Sequence, residues 1–371
     1  MTRDLCVPVI MYHCVNDALG SSPHGRLGFT PGQFRAHLRW LLDHHYDLVS
    51  VSDLWRWLLD GAPEGLRPAV ITFDDGFADN LTVAAPIMDE MGARGTVFAN
   101  PDVTPEPDAP QGRGPWGYLR PAQMRELAAG GVLEIQSHTW DHLRTFTGPD
   151  VIDTYHHTRF DRLWWLVWLL RPELRRHWDG DVRRHARAVP DGYPIFDNDR
   201  HLSARRFEPS PEFVARCLAD HDAGQSTRGR RNDSGSLESE VEYEDRCRHS
   251  LAESRRVLAD WSGQPVDHLC FPGGSYNQRL LQWAADAGYL TYMLSSREQG
   301  RNDASLLDIV QDEAARPVGL KRLSFTQDYP AWLQTPLVAR WVAALKISTL
   351  EGRPWARRSH GMMRRIRDLM P

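Results

Sequence analysis

The run Pro68-Ala69-Val70-Ile71-Thr72-Phe73 is almost wholly apolar and ends on two adjacent carboxylates, Asp74 and Asp75, followed by Gly76 and Phe77. An apolar run of this length has the pattern of a short buried strand. Two carboxylates at the end of such a strand are costly. Like charges a few ångströms apart cannot both stay ionised and dry without a cation or a shared proton. Gly76 lets the backbone turn sharply, so both side chains can sit at the rim of a sheet. Taken alone, Asp-Asp-Gly also reads as a surface turn. The rest of the chain decides between the two.

On either side of this run, strand and helix patterns alternate. Val7 to Tyr12 reads as a strand ending on His13, and Pro31 to Tyr46 as a helix with Thr30 as N-cap and Gln33 three residues on. Asp47 to Val51 is a short strand, with Ser52 able to cap a helix from Asp53 to Asp60. A helix from Asp79 to Met91, a strand at Gly95–Ala99, a helix at Pro121–Ala129 and a strand at Leu133–Ser137 follow. The rhythm breaks near Gly148 and resumes near Leu237, with a helix to Trp261, a strand at Asp267–Phe271, a helix around Arg279–Ala287 and a strand at Tyr289–Leu294. Gly319 to Phe325 reads as one further strand. Strands separated by helices of roughly ten to fifteen residues indicate βα units and a parallel sheet. The expected organisation is a split α/β domain over 1–147 and 237–330, an inserted segment over 148–236 and a basic tail over 331–371.

The formal net charge of −5 argues against a general nucleic-acid binder. Five cysteines, odd in number and without a CxxC, fit reduced thiols better than a secreted disulfide framework. The N-terminus lacks the form of a signal peptide, and no segment reaches the roughly 18–20 apolar residues that span a bilayer. The sequence therefore places the protein in the cytoplasm. Within the insert, Leu163-Trp164-Trp165-Leu166-Val167-Trp168-Leu169-Leu170 is bracketed by Arg162 and Arg171. That pattern suits either a membrane interface or a helix buried by the insert. Between Arg353 and Arg367 the tail carries six arginines: Arg353, Arg357, Arg358, Arg364, Arg365 and Arg367. Such a tail suits either a solvated basic segment or peripheral contact with an anionic inner membrane face.

His138 and His142 lie four residues apart at the end of a predicted strand. Asp74/Asp75, His13 and Pro272-Gly273-Gly274 also follow predicted strands. In parallel α/β sheets that edge is where active sites are built. One carboxylate with two imidazoles leaves open positions on a Zn²⁺-type ion, the catalytic pattern. The second carboxylate is then free to act as a base toward water acidified by the ion. The same ligand set describes non-haem Fe(II) sites, so ligand type alone does not fix the reaction.

Thr72-Phe73-Asp74-Asp75-Gly76 and His138-Thr139-Trp140-Asp141-His142 resemble the first two motifs of the polysaccharide deacetylase family, carbohydrate esterase family 4. Phe271-Pro272-Gly273-Gly274-Ser275-Tyr276-Asn277 looks like a variant of its third motif. The resemblance implies a distorted (β/α) barrel, removing N-acetyl groups from amino sugars with a divalent metal such as Zn²⁺; it leaves the insert, read here as mainly helical, and the tail unexplained. It implies Asp74 as general base and Asp75, His138 and His142 as metal ligands. Gly273, Pro272 and Tyr276 would form the oxyanion and substrate groove. The third motif usually carries an arginine near its start and an aromatic residue before its glycine, where this chain has Cys270 and Gly273. The arginine that orients the base is therefore missing from that place. No late Leu-x-x-His supplies the usual general acid. Met11-Tyr12-His13 resembles the N-terminal stretch of the bacterial branch acting on poly-N-acetylglucosamine, which implies His13 as the acid. A histidine capping a strand end is the plainer alternative.

These implications describe metal-assisted hydrolysis of an acetamide in an N-acetylated glycan, which the sequence leaves open as free, nucleotide-linked or, for a cytoplasmic enzyme, lipid-linked at the inner membrane face. A catalytically silent glycan-binding protein, or a hydrolase of another amide or acyl substrate, remains open on the same fold. There is no GxSxG elbow to suggest a serine hydrolase.

Overall fold

The computed structural model describes residues 6–21, 23–61, 63–104, 116–176, 182–294, 302, 306, 312, 316–325, 335–353 and 355–356. Its first half runs β1 (Val9–Tyr12), α1 (Pro31–Asp43), β2 (Asp47–Val49), α2 (Val51–Asp60), β3 (Pro68–Phe73), α3 (Ala85–Glu90), β4 (Gly95–Ala99), α4 (Pro121–Gly130) and β5 (Leu133–Ser137). The insert follows with β6 (Arg144–Thr154), α5 (Phe160–Leu170), α6 (Glu173–Arg176), β7 (Pro194–Arg200), β8 (Phe207–Glu208), α7 (Pro211–Asp222) and β9 (Ser236–Leu237). The remainder is α8 (Glu240–Ser262), β10 (His268–Cys270), α9 (Gln278–Asp286), β11 (Thr291–Met293), β12 (Val318–Leu320), β13 (Leu323–Ser324) and α10 (Pro336–Leu350).

Helix starts are set by local chemistry. Thr30 caps α1 in a capping box with Gln33, and Ser239 does the same for α8 with Glu242. α2 is capped by Ser50, not Ser52, because β2 already ends at Val49 and frees Ser50 to bond the Asp53 amide. Between Asp79 and Met91 the chain opens as a π-turn over Asn80–Ala84 before α3 begins. Pro86, which has no N–H, sits in the first turn of α3.

One nine-stranded sheet is parallel throughout, in the order β12-β11-β10-β5-β4-β3-β1-β13, with β2 also on β3. β3 is buried along its whole length, as its unbroken apolar run requires. The stretch Gly319–Phe325, expected as one strand, is two. β12 pairs with β11 and β13 pairs with β1, and only Lys321 and Arg322 separate them. The two ends of the sheet are thus joined by the chain itself, which closes it into the expected distorted (β/α) barrel. Asn302 ties this seam, accepting from the Lys321 amide at 2.9 Å and donating to the Val7 carbonyl at 3.1 Å.

The main apolar core lies between the sheet and α1, α3, α4, α8, α9 and α10. α10 falls in the segment expected as a tail. Its Ala343 and Ile347 join the core, because Ala339, Val342, Ala343 and Ile347 repeat at helical spacing against α1. Beyond Ala356 the tail arginines lie outside the described residues; Arg353 pairs with Glu351 at 2.7 Å.

A second core stands over the edge of the sheet at which the strands end. It joins Phe77, Val103, Trp116 and Tyr118 from the barrel loops to Phe146, Tyr155, Phe160, Leu166, Trp168 and Phe196 of the insert. The insert contains an antiparallel ribbon, β6 against β7, as well as its helices. The tryptophan-rich α5 is buried in this core. Trp168 stacks on His24 with ring centroids 5.4 Å apart, Trp164 lies 4.6 Å from the same ring, and Trp165 packs on Phe146 and beneath Arg144. Those contacts account for the tryptophans as packing, the second of the two readings their pattern allows. No helix among the described residues is long and apolar enough to cross a membrane.

Candidate active site

Each functional side chain is delivered by the end of a strand. β3 ends at Phe73, the Asp74 amide donates to the Tyr12 carbonyl at 2.9 Å, and the chain then turns with φ of +74° at Asp75 and +68° at Gly76. A positive φ at a non-glycine residue is a strained conformation that the surrounding structure must hold. Here it sends Asp75 over the sheet edge, and a Cβ at Gly76 would come within 2.9 Å of the Ala99 Cβ. Thr139, after β5, is strained in the same way at φ +64°. Its amide donates to Ser137 Oγ at 3.1 Å, and its hydroxyl donates to the Asp141 carbonyl at 2.8 Å. Asn100, from the loop after β4, donates to the carbonyls of both His138 and Thr139. The His138–His142 segment is therefore a braced loop.

Asp75 Oδ1 lies 3.4 Å from His138 Nε2 and 3.5 Å from His142 Nε2. These ligand atoms all fall within 4.8 Å of one another. Asp75 Oδ1 is buried and has no hydrogen-bond partner. The Nδ1 of His138 is 2.6 Å from the Cys270 carbonyl; donating there, it leaves Nε2 as a lone pair facing Asp75. An orphaned buried carboxylate oxygen between two imidazole nitrogens is a donor set that fits a divalent cation. Burial opposes the charge on Asp75, yet His142, His138 and His13 together hold its carboxyl well below the ordinary value.

Asp74 sits beside this group and answers to a different partner. Arg322, at the barrel seam, donates to Asp74 Oδ1 at 2.6 Å, and both side chains are 5% exposed. The Cys270 thiol points at the other carboxylate oxygen, Oδ2, at 3.6 Å. Burial would raise the carboxyl, but the Arg322 guanidinium, with His138 and His13, keeps it below its ordinary value. An arginine against Asp74, absent from the third motif's usual place, is thus supplied by Arg322, 248 residues along the chain. Its sequence signal was slight: two adjacent basic residues, Lys321 and Arg322, between Leu320 and Leu323 in a strand pattern.

His13 follows β1. Its charge is felt by both Asp74 and Asp75, and its carbonyl accepts from Asn80 Nδ2 at 3.0 Å. Asp79 pins the same loop, accepting from Asn16 Nδ2 at 2.7 Å and from the Val15 amide at 3.0 Å. Pro272 and Gly273 form a single turn after β10, with Gly273 at φ +62°. Tyr276 packs on Phe271 and Tyr292, with centroids 5.7 and 5.0 Å away. The site brings together Asp74, Asp75, His138, His142 and His13; the third motif reaches it through Cys270. Asp141 of the second motif is held by His201 of the insert at 2.8 Å, which keeps its carboxyl at about 2 against the cost of burial. Arg322, Cys270, Asp79 and His201 are site residues that the motifs did not reveal.

A closed parallel barrel with this edge constellation defines the polysaccharide deacetylase class of fold. Residues 62–159 match the family model described as polysaccharide deacetylase, and the chain is similar to that family as its motifs imply. The curated protein "Putative polysaccharide deacetylase YxkH" of Bacillus subtilis (strain 168) is 31% identical over 137 residues, 37% of this chain and 43% of that protein's own length. Among solved structures, the BpsB deacetylase domain from Bordetella bronchiseptica superposes with a TM-score of 0.52 at 17% identity, covering 86% of this chain and 96% of that one. A de-N-acetylase from Aggregatibacter actinomycetemcomitans gives 0.54 at 17% identity, covering 86% and 94%. At such identities the likeness is one of fold.

Proposed function

We propose that the chain is a metal-dependent N-deacetylase acting on an N-acetylated amino sugar of a polysaccharide or glycan intermediate. The observation that carries this reading is Asp75 Oδ1, buried and unpartnered between two imidazole Nε2 atoms, beside a second carboxylate with its own guanidinium. Asp75, His138 and His142 would hold the ion, for which Zn²⁺ is the first candidate. Bound there, a divalent cation supplies Lewis acidity toward an acetamide carbonyl and toward water.

The remaining work falls to the chain. Asp74, kept ionised by Arg322, takes the proton of the attacking water. The guanidinium occupies Oδ1, which leaves Oδ2 as the basic atom. His13 gives a proton to the sugar nitrogen, because an amide anion is too basic to leave at neutral pH. The Gly273 amide is assigned to the oxyanion, and Pro272 and Tyr276 to the groove. Residues 1–147 and 237–330 would carry this chemistry and 148–236 would shape access to it. The silent-protein alternative rests on the altered third motif, and the Arg322–Asp74 pair weighs against it.

The test is mass spectrometry of N-acetylglucosamine oligomers incubated with the metal-loaded chain. Loss of acetyl groups supports the reading; intact oligomers across neutral and charged N-acetyl sugars would remove it.

A further inference from the structure

The insert does more than cover the barrel edge: it sets guanidinium groups beside the site. Arg200 ends β7, and its side chain lies over Gly273, with Nη2 and Cζ 2.8 and 2.9 Å from where a Cβ at 273 would stand. The aromatic residue expected at this place in the third motif is therefore replaced by a cation reaching in from the insert. Gly273 is required twice, by its positive φ and by this close approach. Arg200 lines a cleft with Thr139, Asp141, His201, Pro272 and Ser275, between the insert and the third-motif turn. Its charge is felt at His142, and Asp75 is felt in return at Arg200.

This guanidinium is half-buried, and no carboxylate among the described residues lies within ion-pair distance of it. Two further guanidiniums stand nearby. Arg144 shares its electrostatic field and is turned toward Asn198 and Trp165. Arg175 is 1% exposed, lies over the Trp168 ring at 5.1 Å and has Asp102 at 3.8 Å from Nη1 as a long ion-pair partner. The field of Arg175, like that of Arg200, reaches His142. A partly desolvated guanidinium such as that of Arg200 is costly without a matching anion, and more so beside a site fitted for a divalent cation. A planar fork of N–H donors is best satisfied by a carboxylate or a phosphate.

We propose that Arg200, backed by Arg175 and Arg144, is a specificity-determining residue that binds a carboxylate or phosphate carried by the substrate next to its acetamido group. This rests on the deacetylase reading for the word substrate, and on the place of the Arg200 guanidinium over Gly273 for the anion.

The test uses the full metal-loaded chain and probes that differ only in charge. One pair is a neutral N-acetylglucosamine oligomer and an oligomer of equal length carrying an N-acetylated aminouronate. The other is methyl N-acetylglucosaminide and N-acetylglucosamine 1-phosphate. Binding by calorimetry and acetate release are measured for each. The wild type should favour the charged member of one pair by about tenfold or more, and which pair responds tells carboxylate from phosphate. Arg200→Gln should reduce that ratio below about threefold, while Arg200→Lys retains part of it. Gly273→Ala, which displaces the guanidinium without removing it, should also reduce the ratio and serves if Arg200→Gln does not fold. A ratio near one in the wild type, or one unchanged in Arg200→Gln, overturns the proposal. Preferential binding of a charged probe without acetate release from any probe would remove the deacetylase reading and leave the anion site. Equal deacetylation of neutral and charged probes would do the reverse.

Discussion

Asp74 and Asp75 are neighbours in sequence with opposite tasks, and the difference lies in what faces them. Asp75 meets two imidazoles and has an oxygen left over; Asp74 meets a guanidinium and a thiol. The Arg322–Asp74 pair makes a prediction. Breaking a buried ion pair from one side strands the other charge, at a cost of roughly 3–5 kcal/mol. Arg322→Gln should therefore lower stability by that order in denaturant titration. It should also let the Asp74 carboxyl rise, moving the acid limb of kcat/KM to higher pH. An unmoved acid limb would deny Arg322 its hold on the base. His13→Ala should lower kcat by roughly 10²–10⁴-fold with metal content unchanged. A His13→Ala enzyme of near wild-type kcat would restore the plainer strand-capping role. Much of this site was legible, because Asp74-Asp75-Gly76 and His138–His142 are contiguous. Arg322 was not: nothing local marks an arginine whose partner lies across a barrel seam.

Among the elements, the loop after β1 depends on a buried carboxylate. Burial pushes Asp79 up to about 7 despite the bonds from Asn16 and Val15. The folded state therefore binds this proton more tightly than the unfolded chain does. The stability it contributes is full below the ordinary value of 3.8 and is lost as pH rises towards 7. Asp79→Asn should flatten that fall in thermal unfolding measured between about pH 4 and 7. An identical slope in the variant would assign it to another group. α10 offers a second check, since Ile347 is fully buried against the barrel. Ile347→Ala should cost roughly 2–5 kcal/mol in denaturant titration. A cost under roughly 0.5 kcal/mol, as for an exposed position, would return this helix to the status of a tail. The sequence pattern placed most elements to within a few residues, because buried strands and capped helices signal locally. It missed the break at Lys321–Arg322, since pairing first with β11 and then with β1 is decided by barrel closure. Net charge also drew attention to the arginines of the last segment and away from the apolar face of α10.

At the scale of the molecule, a closed parallel barrel presents its catalytic edge to an insert with a core of its own. The tryptophan run alone could not say what it faced; the second core is built from loops far apart in sequence, and no local pattern encodes it. The central claim is the division of labour at that edge, and one paired measurement tests it: metal content and acetate release from N-acetylated oligomers, for the wild type, Asp75→Ala and Asp74→Asn. The account predicts close to one divalent ion and acetate release in the wild type, loss of both in Asp75→Ala, and retained metal without acetate in Asp74→Asn. Equal metal loss in both variants, or acetate release undiminished in Asp74→Asn, would contradict it.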